Sequence, residues 1–307
     1  MKKVHILEGG DTLPLVRDPL VFKTLEWEIT DDRNEADVIL GVHARRFTPE
    51  VCALRRLNIL WTHEPFADSS NRFRVRDPSG LGDLYVFNLY NRNVYFDNFF
   101  YFQDRSLHPL NYIRSEADLN VSFDKKKVVT FMTAKRFRTL IDGMEVSLAV
   151  RRVDLALEGH AGGRLDVFGR GWPEGVALSE SRYANDRSNV KLSILKEYNF
   201  NFCPENTQWD YYVSEKFWEA IMGNCLPIYA PNRTLPMVVP DDLFINFNGM
   251  KTFDEITAAI DSMSFANFAE RMNEMKRIME YCRSKQFARQ SRERRREHFV
   301  SVAAVLA

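Results

Sequence analysis

The sequence predicts an α/β protein with two parallel-sheet domains, on the basis of three observations. Short apolar runs of strand length alternate with helical patterns, as in sheets whose strands are joined by crossover helices. The alternation occurs in two series, separated by the polar stretch RSEADLNVSFDKKK at residues 114–127. The chain has 307 residues, which fits two domains at roughly 100–200 residues each. We therefore expect two Rossmann-like domains that face a cleft.

The first series predicts a domain over residues 1–122. The strands here are rich in apolar residues, which is typical of parallel strands that are covered on both faces. The candidate strands are KVHIL (3–7), ADVILGVH (36–43), LNILWTH (57–63) and DLYVFNLY (83–90), and the candidate helix is PEVCALRRL (49–57).

The second series predicts a domain over residues 123–280. Its candidate strands are VVTFMT (128–133), LDVFGRG (165–171), YNFNFCPEN (198–206), CLPIYA (225–230) and LFINFN (243–248). Its candidate helices are MEVSLAVRRVDLALEGH (144–160), SEKFWEAIMGN (214–224), FDEITAAIDSM (253–263) and one long helix over roughly 265–298. We expect the basic segment 281–307 to pack back on the first domain as the end of this helix.

Composition and charge narrow the classes of function. The formal net charge is +0, so the chain as a whole has no electrostatic preference for nucleic acid. No stretch approaches the ~20 apolar residues of a membrane-spanning helix, and we expect no signal peptide at the N-terminus, which has no apolar stretch of the length that one requires. The four cysteines are far apart and form no CxxC pair, which is typical of a reducing compartment. We expect a cytoplasmic protein of bacterial type and leave its oligomeric state open.

The basic tail RSKQFARQSRERRREHFVSVAAVLA (283–307) has two interpretations. A basic amphipathic helix binds anionic membrane surfaces, so the tail could lie peripherally on the inner face of the membrane. The interpretation that we favour is a solvated helix whose apolar end packs back on the protein.

The stretch YYVSEKFWEAIMGNCLPIYA (211–230) predicts a helix that begins at Ser214 and stops at Gly223 before the next strand. Ligands of parallel sheets bind beyond the carboxyl ends of the strands, so the start of this helix should face a ligand. Its free N–H groups favour an anion such as a diphosphate, and Lys216 adds a positive charge. The Glu215 carboxylate can accept hydrogen bonds from ribose hydroxyls. Alternatively, Glu215 complements the helix dipole and Lys216 is solvated.

A wider segment (198–248) resembles the donor-binding segment of the α1,3/4-fucosyltransferases, glycosyltransferase family 10. That family reads approximately Y-K-F-x-L-x-F-E-N-S/T, then Y-V/I-T-E-K, then A-x-x-x-G-x-x-P-I/V-Y. The matching residues are Tyr198, Phe200, Phe202, Glu205, Asn206, Thr207, Tyr212, Val213, Glu215, Lys216, Ala220, Gly223, Pro227, Ile228, Tyr229, Pro240 and Phe244. Two departures bear on the identity of the donor: Pro204 replaces an aromatic residue, and APNRTLP (230–236) replaces a Y-W-G-x-P-like turn.

The resemblance implies roles for several donor-side residues. Asn206, Tyr212 and Val213 would shape the nucleotide pocket, whereas Glu205 would lie near the donor sugar and stabilise an oxocarbenium-like centre. In the family, an Arg early in the preceding helix contacts the diphosphate. The spacing back from Gly169 favours Arg152, with Arg151 as the second candidate. Alternatively, both arginines are solvated on a surface helix.

The first domain carries one further matching element, LNILWTHEPF (57–66). It places Glu64 after an apolar strand and before Pro65, where the family has a similar turn whose Glu is its proposed general base. A carboxylate at the carboxyl end of a strand is positioned to take a proton from an acceptor hydroxyl, and burial would raise its pKa. Alternatively, Glu64 caps a turn or pairs with a nearby arginine, and His63 is a rival base.

The resemblance implies a GT-B fold and an inverting glycosyltransferase that moves L-fucose from GDP-fucose to a hydroxyl of a glycan. An α1,3-type linkage and a lipopolysaccharide or other surface polysaccharide as acceptor are the corresponding expectations. We expect no cofactor and no metal, since the sequence has no Asp-x-Asp triad and the family uses Lys and Arg. Two alternatives remain: a transferase that uses another GDP-sugar, and a non-catalytic protein of the same fold that binds nucleotide sugars or glycans.

Overall fold

The structure, a computed structural model, describes residues 1–7, 18–43, 46–52, 56–62, 65, 74–76, 83–88, 110–141, 143–180 and 187–306. Contacts divide the chain into two compact units. Unit 1 comprises Met1–Asn98, Leu140–Met144 and Ala288–Ala307, and unit 2 comprises Phe99–Thr139 and Glu145–Phe287. Residues 110–122 therefore group with unit 2, whereas the sequence assigned them to the first domain. The predicted tail 281–307 is divided between the two units.

Unit 1 is built on a parallel sheet. Its strands are β1 (Lys2–Ile6), β2 (Trp27–Ile29), β3 (Val38–Gly41), β4 (Leu57–Thr62), β5 (Arg74–Arg76) and β6 (Asp83–Asn88), and its N-terminal helices are α1 (Pro19–Leu25) and α2 (Pro49–Cys52). The strand order is β2-β1-β3-β4-β6-β5, and only the edge strand β5 pairs antiparallel. Every residue of β3 is buried, which explains why the central strands are continuous apolar runs in the sequence.

The last helix of the chain, α8 (Lys285–Leu306), completes the core of unit 1. Its Phe299 is 1% exposed, and the centroid of its ring lies 6.0 Å from that of Trp27, 5.7 Å from Trp61 and 4.8 Å from Phe87. Aromatic rings at these separations stabilise each other beyond the burial of their surface. The chain therefore returns to unit 1 after it has formed unit 2.

Unit 2 contains a second sheet, whose six strands are all parallel. Its strands are β7 (Val128–Phe131), β10 (Leu165–Phe168), β11 (Ala177–Ser179), β12 (Phe200–Phe202), β13 (Leu226–Tyr229) and β14 (Ile245–Asn246), in the order β11-β10-β7-β12-β13-β14. Its helices are α3 (Ala149–Ala161), α4 (Arg187–Leu195), α5 (Glu215–Met222), α6 (Phe253–Asp261) and α7 (Phe265–Cys282). The strand pair β8 (Leu140–Ile141) and β9 (Met144–Glu145) lies between β7 and α3 in the chain.

The structure corrects two of the predicted helices. The prediction of one long helix over 265–298 is wrong, because α7 ends at Cys282 and α8 begins at Lys285. Neither Gly nor Pro marks this break, so the sequence pattern runs through it. The helix predicted from residue 144 begins at Ala149, because Met144 and Glu145 form β9. The Asp-Gly pair at 142–143 is a hairpin signal that could have revealed this strand pair.

The segment that leads into β7 is fastened to α7. Lys276, with a fully buried side chain, donates from Nζ to the Asn111 carbonyl and to Asn224 Oδ1, both at 2.5 Å. One turn earlier, the Asn273 amide donates to the Ile113 carbonyl at 2.7 Å and accepts from the Ile113 N–H at 2.8 Å. The backbone of this segment is therefore satisfied by side chains instead of a strand partner.

Among the described residues, no helix combines the length and the apolarity that a membrane crossing requires.

Candidate functional site

The candidate site lies at the carboxyl edge of the sheet of unit 2. The parallel pairing of β12 with β13 places Phe202 opposite Ile228, so the residues that follow both strands lie at the same edge. The loop after β12 leads to Ser214, which has the extended backbone of a helix N-cap, and α5 starts at Glu215. The sequence therefore predicted both the position and the start of this helix.

Glu205 is the central residue of this edge. It is 1% exposed, and its carboxylate accepts hydrogen bonds from four donors. Oε1 accepts from the Ser214 N–H at 2.7 Å and from the Tyr229 hydroxyl at 3.2 Å. Oε2 accepts from the Ser214 hydroxyl at 2.9 Å and from Lys216 Nζ at 2.9 Å. We refer to Glu205, Ser214, Lys216 and Tyr229 as the Glu205 cluster.

Lys216 is held within this cluster. Its Nζ also donates to the Ser214 hydroxyl at 2.7 Å and lies 3.6 Å from Glu215 Oε1, and its side chain is 19% exposed. The side chain borders a narrow gap, too small to hold a water molecule, together with Lys191, Asn201 and Pro204. The charge of Lys216 is therefore fixed beside the first turn of α5, where backbone N–H groups favour anions.

A second ion pair, which the sequence analysis missed, lies at the same narrow gap through its lysine. Lys191 Nζ of α4 lies 2.7 Å from Glu219 Oε2 of α5, and these side chains are 12% and 6% exposed. The ammonium also lies 5.2 Å from the ring centroid of Phe131, at the end of β7. Asn201 is 1% exposed beside this pair, and neither atom of its side-chain amide has a hydrogen-bond partner in the part of the chain that the structure describes.

The two arginines of α3 have different surroundings. Arg151 donates from Nη2 to the carbonyl oxygens of Phe247 at 2.7 Å, Asn248 at 3.0 Å and Met250 at 2.5 Å. Its guanidinium lies 5.2 Å from the ring centroid of Phe247, and burial lowers its pKa. Arg151 therefore fastens the loop after β14. Arg152 is 6% exposed on the buried side of α3.

The remaining predicted residues fall into three groups. Tyr212 and Val213 are buried, and the Tyr212 carbonyl accepts from Asn232 Nδ2 at 3.0 Å, so they support the start of α5. The Asn206 carbonyl accepts from the Leu148 N–H at 2.9 Å, at the start of α3. Glu64, the predicted base, lies outside the described residues, as does its rival His63.

The departures from the family pattern also lie at this edge. Pro204 borders the narrow gap beside Lys216. In the segment 230–236, Asn232 Oδ1 accepts from the Thr234 hydroxyl at 2.7 Å and from the Leu235 N–H at 3.0 Å. This loop is therefore fixed by its own side chains.

The described residues contain no group of three or more His, Cys, Asp and Glu side chains that could hold a metal ion. The arrangement offers instead a helix N-terminus with an adjacent ammonium, which together can bind an anionic group.

Residues 125–298, more than half of the chain, match the family model described as glycosyltransferase family 10 (fucosyltransferase) C-term. The chain belongs to glycosyltransferase family 10. The matched range contains all of the Glu205 cluster and both arginines of α3, but it does not include Glu64.

The chain is also similar to a curated relative and, in its fold, to two solved structures. Over 75 residues the chain is 36% identical to an α-(1,3)-fucosyltransferase FucT of Helicobacter pylori, and the match spans 24% of this chain and 15% of that protein. Two structures of an α1,3-fucosyltransferase, one of them with GDP-fucose, also match, and each match covers 88% of this chain and 81% of the other chain. Their TM-scores are 0.50 and 0.51 at 16% and 14% identity, which supports the predicted GT-B fold.

Proposed function

We propose that this family 10 protein transfers L-fucose from GDP-fucose to a hydroxyl of a glycan acceptor, with inversion at the sugar. Family membership supports fucosyl transfer. The names of the matched relatives favour an α1,3 linkage. The donor would be a nucleotide sugar, and the acceptor a glycan.

The observation that carries this proposal is the position of Lys216 beside the N-terminus of α5, within the range that the family model matches. A nucleoside diphosphate is the leaving group of such a transfer, and it gains negative charge as the bond to the sugar breaks. An ammonium and a helix N-terminus stabilise that charge, so they favour the transition state over the bound substrate. Arg152 is the proposed second cation, because the spacing back from Gly169 favours it.

The proposed step breaks one bond and forms one. The acceptor hydroxyl loses its proton to Glu64, and its oxygen bonds to C1 of the fucose. The bond between C1 and the β-phosphate oxygen breaks at the same time, and GDP leaves with the electron pair. A general base of this kind contributes typically 10²–10⁴-fold in rate.

A related transferase with another GDP-deoxyhexose is a second candidate. The observation that favours it is Pro204, which lies at the narrow gap beside Lys216 where the family has an aromatic residue. A change of side chain at this position alters the shape of the site but not its charge, so it would affect the sugar more than the diphosphate.

The experiment that tests the proposal is calorimetric titration of the protein with GDP, UDP and ADP, each with and without EDTA. We expect tight binding of GDP alone, unaffected by EDTA, because Lys216 and the helix N-terminus supply the positive charge. Turnover of GDP-fucose should then exceed that of other GDP-sugars in the presence of a glycan acceptor.

The variant Glu64→Gln separates an enzyme from a binding protein. In an inverting transferase it should retain GDP affinity and lose turnover, because only the proton acceptor is removed. Preference for UDP or ADP, or binding of none of the three nucleotides, would overturn the proposed donor.

A further inference from the structure

The contacts of Glu205 differ from those of a carboxylate that meets a substrate. Both of its oxygens are already engaged, and its side chain is 2% exposed. The donors come from three places in the chain: the N-cap of α5, its first turn, and the end of β13. A sugar carbon that gains positive charge would have to displace one of these donors before it could contact the carboxylate.

We propose that Glu205 is a positioning residue, which fixes the N-terminus of α5 and the Lys216 ammonium in the orientation that binds the diphosphate of the donor. This inference rests on the proposed function, and it replaces the direct role beside the sugar that the family resemblance implied for Glu205. The carboxylate acts through Ser214 and Lys216, and it does not touch the reacting atoms.

The division of the four donors explains why a carboxylate is required. Oε1 binds the Ser214 N–H, so it holds the backbone at the N-cap. Oε2 binds the Ser214 hydroxyl and the Lys216 ammonium, and the same hydroxyl accepts a hydrogen bond from Lys216. Only a group with two acceptor atoms satisfies both sets. In a glutamine, the amide NH₂ would face the ammonium or the Ser214 N–H, and both are donors.

The chain supplies a matched control on the same helix. Glu219 is also a buried carboxylate of α5, and it lies 2.7 Å from the ammonium of Lys191. Glu219→Gln therefore removes a buried ion pair of the same helix whose ammonium belongs to Lys191 and not to Lys216.

The first test follows the two ammonium groups without any nucleotide. An amine-reactive acylating reagent labels the folded protein, and mass spectrometry measures the rates at Lys216 and Lys191. In Glu205→Gln we expect Lys216 to react faster and Lys191 to react as in the unchanged protein. In Glu219→Gln we expect Lys191 to react faster and Lys216 to react as in the unchanged protein. Equal labelling of Lys216 in both variants would overturn the proposal.

The second test measures GDP affinity in Glu205→Gln, Lys216→Met and the double variant. Loss of a hydrogen bond to a charged group weakens binding by about tenfold to hundredfold, and we expect a loss of this size in Glu205→Gln. Because Glu205 acts through Lys216, the double variant should bind no more weakly than Lys216→Met. Asp261→Asn, which removes the ion pair with Arg164 before β10, should retain its affinity for GDP.

These readouts separate the inference from the proposed function. Unchanged GDP affinity in Glu205→Gln with a reduced kcat would restore the direct role beside the sugar and overturn the positioning role. If the unchanged protein binds no GDP, the donor assignment fails. The labelling rates then still decide whether Glu205 holds Lys216.

Discussion

At the residue scale, Lys276 is a buried cation with only neutral oxygens as hydrogen-bond acceptors among the described contacts. Its ammonium is fully buried between the Asn111 carbonyl and the Asn224 side chain. Burial lowers its pKa to about 8, from 10.5. Lys276 therefore differs from Lys216, whose ammonium is paired with a carboxylate.

The lowered pKa of Lys276 makes the stability of the folded protein depend on pH, and the direction of the change follows from it. Between about pH 8 and pH 10.5 the unfolded chain holds the Lys276 proton and the folded chain does not, so stability rises with pH through this range. Relative to Lys276→Met, which cannot titrate, the free energy of unfolding of the unchanged protein should increase by about 3 kcal/mol from pH 7 to pH 10.5.

Chemical denaturation over this pH range measures the change. Lys251→Met removes an exposed lysine and serves as the control, since no buried charge is lost. A difference between the unchanged protein and Lys276→Met that stays constant, or that falls with pH, would contradict the burial of this ammonium.

At the element scale, α3 and α6 are packed so closely that one glycine is required. A Cβ at Gly159 would lie 2.7 Å from two ring atoms of Phe253, which is 1% exposed at the start of α6. The ring of Phe253 also lies 5.9 Å from that of Phe202, between centroids. The approach of these helices therefore depends on the absence of a side chain at residue 159.

Gly159→Ala should lower the free energy of unfolding by roughly 1–3 kcal/mol, because Phe253 must shift out of a filled core. This result is opposite in sign to the gain of about 1 kcal/mol that alanine gives over glycine in an unhindered helix interior. Denaturation of the purified variants measures the difference. Gly162→Ala is the control, since its Cβ would make only ordinary contacts with the backbone oxygens of Glu158, at 3.6 Å, and Gly159, at 3.8 Å. A stabilised Gly159→Ala variant would mean that the two helices are further apart.

The elements also show what the sequence could and could not predict. The strand β3 and the start of α5 were predicted because their signals are local: a continuous apolar run, and an N-cap serine before an acidic residue. The helix α4 was missed because Val190, Leu192 and Ile194 alternate as in a strand. The family pattern marked Glu205, but its partners are set by long-range packing. The same long-range packing gives Arg151 and Arg152 different surroundings, although they are neighbours in the sequence.

At the scale of the whole molecule, unit 1 depends on the last helix of the chain. Phe299→Ala removes the ring that packs on Trp27, Trp61 and Phe87. Replacement of a buried Phe by Ala costs about 3–5 kcal/mol, so we expect unit 1 to unfold at a lower temperature and α8 to become sensitive to protease.

Calorimetry with limited proteolysis tests this expectation. Val305→Ala on the same helix is the control, since Val305 is 85% exposed. A Phe299→Ala variant with the same transitions and the same cleavage pattern as the control would show that α8 does not support unit 1.

The division of unit 1 between the two ends of this sequence has a consequence during synthesis. Domains generally fold as units, the N-terminal one first, while the ribosome is still extending the chain. Here residues 288–307, which complete unit 1, are made after every residue of unit 2. The rings of Trp27, Trp61 and Phe87 therefore lack the ring of Phe299 while unit 2 is translated. The first unit to begin folding is then the last to finish.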